Sequence, residues 1–103
     1  MAFDFVKCEY PLEVSKHQSL TFNTKDFEGV YDMYTITEEG RLLRQRAKDV
    51  EAQVNGTSLN VVYDEPEDTN FDGVLNIYTS DESDDWVEYT AVFYDGILAK
   101  IED

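Results

Sequence analysis

Every glycine in the chain follows an acidic residue or an asparagine: Glu28-Gly29, Glu39-Gly40, Asn55-Gly56, Asp72-Gly73 and Asp95-Gly96. Such pairs mark turns, because glycine takes positive φ without steric cost and the preceding side chain tolerates turn geometry. Between them lie short segments rich in β-formers, at residues 19–24, 34–37, 59–63, 74–79, 86–94 and 97–101. Strands this short at this spacing predict a mainly β fold, a single-domain antiparallel meander sheet over residues 1–103.

Alternation assigns faces most clearly near the end of the chain. Val87, Tyr89, Ala91 and Phe93 should face a core, with Trp86, Glu88, Thr90, Val92 and Tyr94 outward. Across the Asp95-Gly96 hairpin, Ile97, Ala99 and Ile101 should join the inner set, leaving Lys100 and Glu102 in solvent. Residues 44–54 support two readings. Leu43, Ala47, Val50 and Val54 fall at helical spacing with Asn55-Gly56 as a stop, so one short helix fits there; yet Gly40-Arg41-Leu42-Leu43-Arg44 also continues a hairpin out of residues 34–37. There is no internal repeat, and residues 64–70 are the one linker-like segment.

The 103 residues amount to about one domain, long enough to bury roughly 65% of the unfolded surface. Seven tyrosines, six phenylalanines and Trp86 are not a disordered composition, even at a net charge of −15. Cys8 is the one cysteine, which excludes an internal disulfide and a multi-cysteine metal site and fits a reducing cytoplasm. The first residues lack a basic region followed by an apolar one, and no apolar run approaches the roughly 20 residues of a membrane helix. The expectation is a cytoplasmic chain that neither carries a signal peptide nor spans a membrane.

Charge is unevenly placed. Residues 1–63 hold ten acids and seven bases, or −3, whereas residues 64–103 hold thirteen acids and Lys100 alone, or −12. Arg41, Arg44, Arg46 and Lys48 form a local basic patch, expected to pair with the protein's own carboxylates. Direct nucleic-acid binding is opposed, since a duplex carries one negative charge per roughly 1.7 Å and is held by cations that displace its counterions.

Asp68-Thr69-Asn70-Phe71-Asp72-Gly73 opens like a calcium loop, with oxygen donors at alternate positions before a glycine. Position twelve of that pattern should be a bidentate glutamate and is Thr79, and the following residues alternate as a strand. The stretch therefore predicts an Asx-rich turn feeding a strand, anchored by Phe71. Residues 81–85 hold carboxylates without a glycine or a closing glutamate and predict a solvated hairpin loop. No metal or other cofactor is expected. Cys8 and His17 carry no family signature of a nucleophile–base pair, carboxylate pairs are unavoidable among twenty-three acids, and phosphate-loop, nucleophile-elbow and zinc-protease motifs are absent. The expectation is a protein that is not an enzyme.

The sign of the charge is informative about partners. A net charge of magnitude about 2 to 8 suffices to keep a small domain soluble. Thirteen carboxylates in forty residues present an anionic array to which a basic channel evolved for DNA or RNA would be attracted. The series Thr24-Lys25-Asp26-Phe27, residues 34–42, residues 71–79 and residues 86–98 resembles small, acidic, β-rich proteins of phages and prophages. That resemblance lies in turn and core positions and carries over no functional residue. It implies a context in which many small acidic proteins inhibit host defence, some by mimicking nucleic acid.

The reading is thus a non-catalytic interaction protein of a phage or mobile element that occludes the basic nucleic-acid-binding surface of a host defence complex, of anti-CRISPR or anti-restriction type. The expected contact residues are Asp64, Glu65, Glu67, Asp68 and Asp72 in one acidic turn, with Asp81, Glu82, Asp84 and Asp85 in another. The alternative is a phage structural or assembly accessory with incidental acidity, contacting its partner through apolar surface around Trp86 and Tyr94. Pairing of a strand edge with a second copy, giving a homo-oligomer, is compatible with either.

Overall fold

The computed structural model of the protein describes residues 3–52 and 59–103. Its strands are β1 (Asp4–Cys8), β2 (Thr21–Thr24), β3 (Met33–Ile36), β4 (Leu42–Gln45), β5 (Ala47–Ala52), β6 (Leu59–Tyr63), β7 (Glu67–Asp68), β8 (Gly73–Ser80), β9 (Trp86–Tyr94) and β10 (Ile97–Glu102). One 3-10 turn, Ser15–His17, is the helical element among the described residues. Eight strands form a sheet in the order β10-β9-β8-β2-β1-β3-β4-β7, and β5 and β6 form a separate two-stranded ribbon.

The fold is mainly β, as the turn spacing predicts, but the sheet is mixed and is not a simple meander. β8, β9 and β10 follow one another as antiparallel neighbours, as do β3 and β4. Between these groups β1, a strand that the turn spacing does not mark, pairs antiparallel with β2 and parallel with β3. Residues 25–32 cross β1 to place β3 on its far side. The Asp4 carboxylate, fully buried, holds this crossing by accepting N–H bonds from Gly29 (2.8 Å), Val30 (3.1 Å) and Asp32 (2.9 Å). Three donors replace the water that a buried carboxylate loses, and so satisfy a charge that would otherwise be costly to bury.

Among the described residues of the 44–54 segment no helix forms. Arg44 and Gln45 belong to β4, which pairs with β3 from Ile36↔Leu42 to Met33↔Gln45, and residues 47–52 are β5. The rest of that segment, with the Asn55-Gly56 stop, lies outside the described residues. Tertiary partners override the helical spacing: Asp32 takes the Ala47 N–H at 2.7 Å and the Arg44 side chain, fixing this stretch as extended chain.

β9 points Val87, Tyr89, Ala91 and Phe93 into the core as alternation requires. Across the hairpin the expectation for Ile97 and Ala99 is corrected: both are exposed, and Leu98 is buried in their place. Leu98 pairs with Phe93, but Lys100 pairs with Val92 and Ile101 with Ala91, so Ala99 is an extra residue, a β-bulge. The bulge flips the alternation once, which lets both Leu98 and Ile101 reach the core.

The sheet curls around this core without closing into a barrel. Its β10 edge reaches the β3–β4 turn, where the Leu98 N–H donates to the Gly40 carbonyl at 2.8 Å. The Asp95-Gly96 hairpin is clasped by the loop before β8: Gly96 N donates to Phe71 O (3.1 Å) and Asp95 N to Asp72 Oδ1 (3.1 Å). Among the described residues no helix is long and apolar enough to cross a membrane.

Candidate functional site

The first acidic group is turned toward the protein's own cations. Arg44 lies in β4 and Lys48 in β5, with Arg41 just before β4 and Arg46 between the two strands, and the chain returns past them as residues 64–68. Arg41 Nε meets Asp68 Oδ2 at 2.7 Å, Arg46 Nε meets Glu67 Oε1 at 3.2 Å, and Lys48 Nζ meets Asp64 Oδ1 at 3.3 Å. Arg44 pairs with the buried Asp32 at 2.5 Å and reaches Glu28 at 3.3 Å, with its guanidinium 5.8 Å from the centre of the Tyr34 ring. All four bases of the patch are thereby neutralised, as the sequence anticipates. Of the five acids expected at this turn, Asp64, Glu67 and Asp68 are ion-paired, whereas Glu65 is exposed with no ion pair among the described residues.

The stretch from Asp68 to Gly73 is a clasp built of side-chain and backbone bonds. Asp68 Oδ1 accepts the Asn70 N–H at 2.8 Å, and the Arg41 bond together with this one holds the Asp68 carboxyl below the usual range. Thr69 Oγ1 donates to Leu42 O (2.9 Å) and accepts from Phe71 N (3.2 Å). Phe71 packs edge-on against Phe27 and Phe93 at 5.5 and 5.6 Å. Positive φ falls at Asn70 (51°) and Gly73 (143°). Asp68 and Asp72 point to different partners, Arg41 and the Asp95 N–H, and do not converge on one point.

The second acidic group is arranged differently. Asp81 Oδ1 accepts N–H bonds from Asp85 (3.0 Å) and Ser83 (2.8 Å), which close the β8–β9 turn and pull the Asp81 carboxyl below its ordinary range, helped by Lys16 and His17. Asp84 takes a left-handed conformation, φ 63°, and donates its N–H to Asp81 O at 3.0 Å. Glu82, Asp84 and Asp85 are exposed, with no ion pair among the described residues. A shallow depression of about 190 Å³ separates this turn from the 3-10 turn, lined by Lys16, Ser19, Leu20, Asp81, Glu82 and Ser83.

Burial, then the exposed Asp103 and Glu13, raise the Tyr89 hydroxyl. Trp86 opens β9 beside the β8–β9 turn, 63% exposed, stacked on Tyr78 at 5.3 Å and 17°. Its Nε1 donates to Glu88 Oε1 at 2.9 Å, which with the Asn76 side-chain bond lowers the Glu88 carboxyl.

Inside the fold, burial pushes the Cys8 thiol up to about 11, and its Sγ donates to Tyr10 O at 3.3 Å. His17 Nδ1 shares a 2.7 Å hydrogen bond with the Tyr89 hydroxyl. Among the described residues no hydrogen bond joins Cys8 to His17, and no group of three or more His, Cys, Asp or Glu is placed to hold a metal ion. No protein-family model, no curated protein and no solved structure matches this chain.

Proposed function

We propose that this is a non-catalytic interaction protein of a phage or mobile element that occupies a basic nucleic-acid-binding surface of a host defence complex, such as a CRISPR effector or a restriction enzyme, in the host cytoplasm. The observation that carries the reading is an asymmetry of pairing. The basic patch is neutralised by Asp64, Glu67, Asp68, Asp32 and Glu28, whereas Glu82, Asp84 and Asp85 stand exposed at the rim of the β8–β9 turn with no ion pair among the described residues. With the basic patch bound internally, a chain of net charge −15 presents Glu82, Asp84 and Asp85 as a predominantly anionic rim, with Lys16 the base that lines the depression beside it. Anions on a rigid turn attract a basic channel over a Debye length, about 10 Å at 0.1 M salt, and compete there with nucleic acid.

The test is competition. Purified CRISPR effectors and restriction enzymes are incubated with the protein, and DNA binding is followed as salt is raised. Loss of DNA binding that weakens steeply with salt supports the reading; an unaffected panel contradicts it.

A second reading, an assembly accessory, is favoured by Trp86 and Tyr94, 63% and 76% exposed on the outward face of β9. It predicts binding to a virion protein that does not depend on salt.

A further inference from the structure

The outward face of β8, β9 and β10 carries apolar side chains that the core does not use. Val74 is 59% exposed, Tyr94 76% and Ile97 53%. Register places them together: Val74 lies opposite Val92, and Ile97 opposite Tyr94. Directly opposed pairs have Cβ atoms about 4.5–5.5 Å apart, so these four make one continuous patch beside the Asp95-Gly96 hairpin. At the other end of β9 the Tyr78–Trp86 stack makes a second patch on the same face. Trp86 is held by Glu88, and Glu88 by Asn76 at 2.8 Å, so the ring is ordered before anything binds. Ordered aromatic rings contribute contact area at low entropic cost and are the side chains most enriched at binding hot spots.

The charges around the face specify the occupant. Asp72 and Asp95 flank the hairpin patch, and residues 81–85 flank the Trp86 patch. The one base on these three strands, Lys100, is bound to Glu102 at 3.4 Å. A second copy docked face to face about a two-fold axis would set anionic ends against anionic ends, whichever way the strands ran. A duplex or an anionic membrane meets the same repulsion.

We infer that this face is a docking surface for a protein segment in which apolar side chains alternate with lysine or arginine, the apolar ones covering Val74, Val92, Tyr94, Ile97 and Trp86 and the basic ones reaching the acids at either end. The inference rests on the proposed reading for the sign of the partner's charge and adds an apolar contact that the acidic turns alone do not require.

Trp86 is the single tryptophan, so its fluorescence reports coverage of the face directly. The full chain is titrated with two short synthetic peptides, one alternating lysine with leucine and one alternating lysine with serine, at low salt and at about 0.3 M, where exposed charges are largely screened. Expected is a blue shift with the lysine–leucine peptide and a Kd roughly ten-fold lower than for lysine–serine, the weight of one aromatic anchor. Val74→Ser with Tyr94→Ser, both at exposed positions, should erase that gap while circular dichroism stays unchanged. Equal affinity for the two peptides would overturn the inference and leave the acidic-surface reading intact, whereas no binding of either would overturn both. A blue shift that grows with protein concentration alone would assign the face to a second copy, and one produced by lipid vesicles would assign it to a membrane; each contradicts the inference.

Discussion

Asp32 and Arg44 form an ion pair beneath the surface: Nε and Nη2 of the arginine lie 2.8 and 2.5 Å from one carboxylate oxygen, and the other oxygen accepts the Ala47 N–H at 2.7 Å. The aspartate side chain is 3% exposed and the arginine 18%. Removing one partner of such a pair leaves a buried charge without compensation, which costs about 3–5 kcal/mol. Arg44→Ala should lose that much in urea unfolding. Arg46→Ala, at an ion pair exposed on both sides, should stay within about 1 kcal/mol. Similar losses at the two sites would contradict the placement of Asp32.

The crossing of residues 25–32 over β1 depends on Asp4. An asparagine keeps one acceptor and introduces two donors facing N–H groups, so Asp4→Asn leaves buried donors unsatisfied. The expected loss is at least about 2 kcal/mol. Hydrogen exchange should report it locally, with faster exchange at the amides of Gly29, Val30 and Asp32 than in β9.

At Gly96 φ is +84°, and an added Cβ would lie 2.2 Å from Asn70 Oδ1. Gly96→Ala should therefore cost more than the roughly 1–2 kcal/mol of a left-handed residue alone, because the clasp of residues 68–72 must also move. Asp95→Asn, at φ 54°, should be nearly neutral, since asparagine before glycine suits the same hairpin turn. Equal melting temperatures for Gly96→Ala and wild type would contradict the clasp.

Alkaline pH should destabilise the fold through Tyr34. Burial pushes its hydroxyl up to about 12 from an ordinary 10.0. A raised value means that the folded state favours the neutral phenol, so the stabilisation is complete below pH 10 and is lost as pH rises toward 12. Two units correspond to about 3 kcal/mol. The urea midpoint should fall across that window, and Tyr34→Phe should flatten the fall, leaving the one from Cys8, which begins near its ordinary 9.0 and runs toward about 11.

What was legible in the sequence was local. Asp95-Gly96 announces a hairpin because two residues determine it, and the inner face of β9 follows from period-two alternation over nine residues. The bulge at Ala99 leaves no such mark: Ile97-Leu98-Ala99 is apolar throughout, so either phase of alternation fits until the register against β9 is known. The parallel neighbours β1 and β3 were illegible for a different reason. Asp4 heads β1, and a carboxylate at an inward position reads as solvent-facing until the three N–H groups of residues 29–32 are seen around it. In the candidate site, the pairing of the basic patch with internal carboxylates follows from charge alone. Which carboxylates do the pairing depends on where β7 docks, and that separates Asp64, Glu67 and Asp68 from Glu82, Asp84 and Asp85.

That separation gives the most direct test of the account. Two charge-reversed variants are compared by their association rate with a defence complex that the competition assay identifies as a partner, at low and at high salt. Asp84→Lys with Asp85→Lys removes unpaired rim charge, and Asp64→Lys with Glu67→Lys removes the same formal charge from the ion-paired tract. The account predicts that the rim variant associates at least roughly ten-fold more slowly at low salt, with a flattened salt dependence, while the tract variant associates much more nearly like wild type. Equal slowing of the two would mean that net charge and not the rim governs recognition, and that result would contradict the account.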